Sequence, residues 1–284
     1  MWNPYRAIAI AGAASLAAGA FPFAIGQTNW FIGVDGLQNI PSGAYAGLPN
    51  PNFGRLTFLY GHQYDGIDDG SIGPASSHFH SKSRWAYSGP ASNPTIVDAV
   101  TTNFVPEDGT RITLLPGSGP TAGLFVSGLQ GTDVKWANPR HSSVAWLNRS
   151  GAETWETFLF NSSAGRWSGS LGAARVALQI VSITPGLSVW APDFSRQIDQ
   201  PGQFLELGVG DSLDITPVFA AGALGSYNAT FRLLDLHRED GYRPLLDSGR
   251  YEMRFEAVPE PATMLALGAG VAALALRRRQ RKVS

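Results

Sequence analysis

The 284 residues include no cysteine and carry a net charge of −1, so disulfide staples and thiol chemistry are excluded and the fold must rest on its apolar core. Seven charges lie in the two ends (Arg6, Glu260, Arg277, Arg278, Arg279, Arg281 and Lys282). The stretch between them carries 15 basic against 21 acidic residues, a net −6, which argues against a nucleic-acid partner. With 33 Gly, 19 Pro and 11% aromatics, the composition favours turns and strands over helices.

Residues 1–27 contain one basic residue, Arg6, then an apolar run from Ala7 to Ala20 that ends in Ala18-Gly19-Ala20. This is the pattern of a secretory signal peptide, whose helix is excluded from the fold. Thr28 to Pro51 reads as an extended lead-in with one short strand at Trp30 to Val34. Leu56, Phe58 and Tyr60 then alternate along a strand that runs into Gly61-His62. In Ser76 to Tyr87, His78 and His80 stand at i and i+2, on one face of the next strand.

Strands are predicted further on over Thr95 to Phe104, Arg111 to Leu115, Gly123 to Leu129, Val144 to Leu147, Thr157 to Phe160 and Ala174 to Thr184. Leu187 to Ala191, Phe204 to Val209 and Ser212 to Phe219 follow. Strict period-two alternation marks Tyr227 to Leu236 and Arg250 to Glu256 as half-buried strands. Ten or more short strands and no internal repeat predict one all-β body over residues 28–256. The expected form is an antiparallel β-sandwich, Ig-like or jelly-roll-like.

The sharpest chemistry is a metal site. His78 and His80 project from one face, and a hairpin would bring His62 beside them, so that neutral imidazoles offer nitrogen ligands suited to Zn²⁺. Asp65, Asp68, His141 and His237 are candidates for a fourth ligand. Asp65, Asp68 and Asp69 beside Gly70 offer oxygens to calcium as an alternative, without the spacing of an EF-hand loop. Five tryptophans, Trp136, Trp146, Trp155, Trp167 and Trp190, serve either as core residues or as a platform for carbohydrate. Glu153 and Glu156 read as two exposed charges beside Trp155. No Gly-x-Ser-x-Gly elbow, Walker loop or His-Glu-x-x-His motif occurs, and no enzymatic activity is expected.

Residues 257–284 have their own order. A Val258-Pro259-Glu260-Pro261 box comes first, then an uncharged apolar run from Ala262 to Leu276, then Arg277, Arg278 and Arg279. The prolines keep the box extended and accessible. Fifteen helical residues reach about 22 Å, so flanking residues must help a single transmembrane helix across a hydrocarbon core of about 30 Å. The arginines would hold its end in the cytoplasm as a membrane stop.

This tail resembles the PEP-CTERM sorting signal of bacteria, which is recognised by an exosortase. The resemblance implies cleavage near Glu260, with the body carried to the cell surface or the extracellular matrix and an exopolysaccharide as a further partner.

A looser resemblance runs through the body. It rests on Gly61-His62, His78-Phe79-His80, Tyr87-Ser88-Gly89-Pro90-Ala91 and Leu115-Pro116-Gly117-Ser118-Gly119, together with Val126-Ser127-Gly128-Leu129, Ser182-Ile183-Thr184-Pro185-Gly186-Leu187 and Leu207-Gly208-Val209-Gly210-Asp211. These runs are similar to PEP-CTERM proteins repressed by the zinc uptake regulator Zur. That likeness implies expression under zinc shortage and capture of zinc outside the cell.

Overall fold

The computed structural model describes residues 28–64, 73–99, 103–128, 136, 139–239 and 241–259. The expected signal peptide, the calcium candidates Asp65, Asp68, Asp69 and Gly70, and Glu260, Pro261, Arg277, Arg278 and Arg279 lie outside these residues. So does the apolar run; among the described residues no helix is long and apolar enough to cross a membrane.

In chain order the strands are β1 (Thr28–Val34), β2 (Leu56–His62), β3 (His78–Ser81), β4 (Trp85–Ser88), β5 (Thr95–Asp98) and β6 (Phe104–Val105). There follow β7 (Ile112–Pro116), β8 (Phe125–Val126), β9 (His141–Ser143), β10 (Arg175–Ile183), β11 (Leu187–Trp190) and β12 (Gln197–Ile198). The last are β13 (Phe204–Val209), β14 (Asp214–Ile215), β15 (Val218–Ala221), β16 (Gly225–Asp235) and β17 (Tyr251–Ala257).

They form a five-stranded sheet in the order β14-β9-β1-β2-β3 and a ten-stranded sheet in the order β12-β11-β15-β8-β7-β17-β16-β10-β13, with β6 also on β17. A separate hairpin joins β4 and β5.

The body is mostly β, as the periodicity predicts, but the larger sheet curls into a nearly closed barrel instead of lying open in an Ig-like or jelly-roll-like sandwich. Its two terminal strands, β12 and β13, are consecutive in sequence. The turn between them is tied by Gln203, whose Oε1 accepts from the backbone of Asp199 and Gln200 at 2.8 and 3.0 Å. Register shifts in β10 between Val176 and Ala177 and between Ile180 and Ser182 bend the strand. Such bulges raise local twist, which helps a wide sheet to close.

The five-stranded sheet is covered on both faces, which is why β2 is buried at Leu56, Thr57, Phe58, Leu59 and Tyr60 alike. Trp30, Ile32, Leu56, Phe58 and Tyr60 face the barrel core, where Phe58 stacks on Tyr251 with ring centroids 4.4 Å apart. Phe31, Leu59 and Phe79 face a second cluster with Trp155 and Leu159.

Two segments expected as strands are helical. Thr157 to Phe160 belongs to a helix, α1 (Thr154–Phe160), because Glu153 and Glu156 form a reciprocal capping box at its start. Val144 to Leu147 lies in a 3-10 helix (Val144–Asn148) started by Ser143, whose side chain accepts from Ala145 N at 3.2 Å.

Candidate metal centre

The antiparallel register of β2 and β3 sets His62 opposite His78 and Tyr60 opposite His80, so all four side chains share one face. Gly61 points the other way, under α1. A Cβ at this position would stand 2.6 Å from Leu159 Cδ2, so the missing side chain lets the helix seat directly on β2.

The three imidazoles are mutual neighbours. Ring centroids lie 5.3 Å apart for His62 and His78, 4.7 Å for His62 and His80 and 4.8 Å for His78 and His80. One ring nitrogen from each lies within 4.8 Å of the others. His78 is exposed, while His62 and His80 are half-buried.

Hydrogen-bond partners fix the tautomers. His78 Nδ1 lies 2.7 Å from the Ser76 carbonyl, which can only accept, so Nδ1 carries the hydrogen. His80 Nδ1 lies 3.0 Å from Glu107 Oε2 and 2.8 Å from the Tyr60 hydroxyl.

Burial alone would raise the Glu107 carboxyl, but hydrogen bonds from Tyr60, Lys82 and His80 outweigh it and hold its pKa at about 2. An ionised carboxylate at that distance again demands a hydrogen on Nδ1. In the neutral imidazoles both Nε2 atoms then carry lone pairs, and they face each other 2.8 Å apart. Two lone pairs so placed repel unless a cation or proton lies between them.

His62 completes the group, its Nε2 3.5 Å from Glu107 Oε1. Burial, followed by the neighbouring His80, pulls its pKa down to about 4, so at neutral pH it is in the form that ligates metal. Burial also lowers His80. Tyr60 is pushed up by burial and by Glu107 and therefore remains a donor.

The donor set fits zinc: three neutral imidazoles, of which His80 is backed at its far nitrogen by a carboxylate, an arrangement that orients metal-bound histidines. Glu107 is held in turn by Lys82 at 2.9 Å.

Tyr60, Lys82 and Glu107 are not among the residues singled out from the sequence. Tyr60 and Lys82 had a signal, since each continues the period-two face of a neighbouring histidine. Glu107 had none. It follows β6, which is held by its parallel pairing with β17, where Phe104 opposes Glu252 and Val105 opposes Met253.

Other candidates lie apart. His141 is fully buried against Trp30 and Phe58, donating from Nδ1 to the Pro139 carbonyl at 2.7 Å. His237 stacks on Tyr242 with centroids 3.9 Å apart. Trp136, Trp155 and Trp167 are buried, and Trp146 and Trp190 are half-buried, so the five present no exposed platform. Glu156, expected to be exposed, is 1% exposed, because capping the helix and pairing with Arg149 at 2.8 Å draw it inward.

Residues 257–279 match the PEP-CTERM protein-sorting motif. No curated protein and no solved structure matches the chain. The motif begins on the last residue of β17, and Val258 N still donates to the Leu114 carbonyl at 3.1 Å, so the sorting tail leaves the barrel without a linker. The match marks residues 257–279 as a PEP-CTERM sorting motif, which implies export, a membrane-anchored precursor and processing by an exosortase.

Proposed function

We propose that the exported body binds Zn²⁺ outside the cytoplasm through His62, His78 and His80, in a binding rather than a catalytic role. One observation carries this reading. In their neutral forms His78 and His80 both present Nε2 lone pairs, which stand 2.8 Å apart with His62 beside them. A metal ion or a shared proton relieves that repulsion, and a third imidazole nitrogen within 4.8 Å of both favours the metal ion. Glu107 supplies a negative charge next to the imidazoles and shares its own hydrogen bonds among Tyr60, Lys82 and His80.

The body's likeness to Zur-repressed proteins accords with a role under zinc shortage and adds a second test: zinc chelation should raise the transcript. The direct test is calorimetric titration of Zn²⁺ into the purified full-length protein in detergent. Binding weaker than about 1 mM, or binding unchanged in the double variant His78→Ala plus His80→Ala, overturns the proposal. Delivery to the cell surface, with or without an exopolysaccharide partner, is the destination the sorting motif supports for such a protein.

A further inference from the structure

The end of the barrel from which the sorting tail departs differs in composition from the rest of the body. β17 finishes there at Ala257, paired with Gly225 of β16 and Leu114 of β7. Three turns surround this exit: residues 117–124, 184–186 and 222–224.

They are tied together. Gly222 N donates to the Gly186 carbonyl at 3.0 Å, and the Tyr227 hydroxyl to the Ala223 carbonyl at 2.9 Å. Leu124, Pro185 and Gly222 line one cleft, which Asp199 also lines from the β12–β13 side. None of the three turns contains Asp, Glu, Lys or Arg, although the body as a whole carries a net −6. Their exposed residues include Pro120, Ala122, Pro185 and Ala223, and Leu224 is 55% exposed. The nearest charge on β17, Glu256, is already engaged by Ser226 and by Arg111 at 3.7 Å.

Chain length fixes how far this end can stand from the bilayer. The apolar run begins at Ala262, five residues beyond Ala257. Five extended residues span at most about 17 Å. The headgroup layer itself takes up about 5–8 Å of that distance on each side of the hydrocarbon core.

We infer that in the anchored precursor the three uncharged turns at this end of the barrel dock on the lipid surface, with Leu224 and Ala122 at headgroup depth. The acidic remainder of the body faces away from the membrane. An uncharged, apolar rim is what a bilayer interface accepts, whereas carboxylates there would be repelled by anionic lipid. The inference rests on the membrane-anchored precursor and is independent of zinc.

The absence of cysteine makes a direct test available. Single variants Leu224→Cys, Ala122→Cys and Glu239→Cys, the last beyond the far end of β16, are labelled with a fluorophore. The full-length protein is then reconstituted in phosphatidylcholine vesicles containing a headgroup-nitroxide lipid. The labels at 224 and 122 should lose most of their fluorescence and the label at 239 should keep it.

Protein that floats with the vesicles but shows equal quenching at both ends overturns the docked end alone. Protein that does not float removes the anchored precursor and the docked end together. Cross-linking between copies through Leu224→Cys, without lipid quenching, overturns the inference in favour of a second copy as the occupant.

Discussion

Glu107 lies in the turn after β6 and His80 in β3 of the five-stranded sheet, yet Glu107 Oε2 stands 3.0 Å from His80 Nδ1. Together with the contacts of Glu107 to Lys82 and His62, this contact joins the five-stranded sheet to the loop after β6, and it decides which nitrogen of His80 is free. The candidate metal centre therefore depends on how the two sheets are assembled as well as on the hairpin that carries the histidines.

Replacing Glu107 tests that dependence. Glu107→Gln keeps the size but removes the charge that holds the hydrogen on Nδ1. Zinc affinity should fall by about 10- to 100-fold, the usual cost of losing a partner behind a ligating histidine. Calorimetry measures it, and an unchanged affinity would remove Glu107 from the site.

Stability of the metal-free protein should fall with acidification, and the sign follows from two histidines. His62 and His141 are both lowered from 6.5 to about 4, chiefly by burial. The unfolded chain thus binds more protons between these values, so the stability they contribute is complete above pH 6.5 and is lost as pH falls toward 4. For the fully buried His141 the effect is on the order of 3 kcal/mol. Urea midpoints between pH 7 and 4, in the presence of chelator, should show the decline, and His141→Phe should flatten it.

Tyr251 and Phe58 should respond in opposite directions. Phe58→Ala removes a fully buried ring stacked on Tyr251 and should cost about 3–5 kcal/mol. Among the described residues the buried Tyr251 hydroxyl has no hydrogen-bond partner, so Tyr251→Phe should stabilise by about 1 kcal/mol. Urea denaturation of the two variants checks both signs.

Gly61→Ala should weaken the seat of α1. The new methyl meets Leu159, and overpacking of this kind costs about 1–3 kcal/mol. Because Gly61 precedes His62, the variant should lose zinc affinity together with thermal stability. A drop in neither would show that Leu159 turns aside freely.

Substituting Pro259, Glu260 and Pro261 together by alanine should leave the full-length precursor in the membrane fraction. Immunoblotting of fractionated cells distinguishes it from processed protein. Normal processing would show that the box is not what the exosortase reads.

Strands with clean alternation or bounded by turns were legible from the sequence. Phe204–Val209 has the limits expected of it, and the alternating runs near Tyr227 and Tyr251 became β16 and β17. The period-two spacing of His78 and His80, with His62 on the preceding strand, was enough to predict that they would meet.

Three features were not legible, each for a physical reason. Thr157 to Phe160 is a short apolar and β-prone run, and only the Glu153–Glu156 cap, a tertiary-independent but easily overlooked signal, turns it helical. Closure of the large sheet depends on bulges inside β10 and on a side chain, Gln203, bonding across a turn. Glu107 reaches His80 through a pairing between residues about 150 positions apart, and local pattern carries no trace of that.

The position of β17 also constrains when the body can fold. It is the last strand among the described residues and yet lies inside the large sheet, between β16 and β7 with β6 alongside. Until residue 257 has been synthesised, β7 and β16 have nothing to join them, and half of the barrel lacks its neighbour. A chain that emerges N-terminus first therefore cannot complete its large sheet until the segment beside the sorting motif is available.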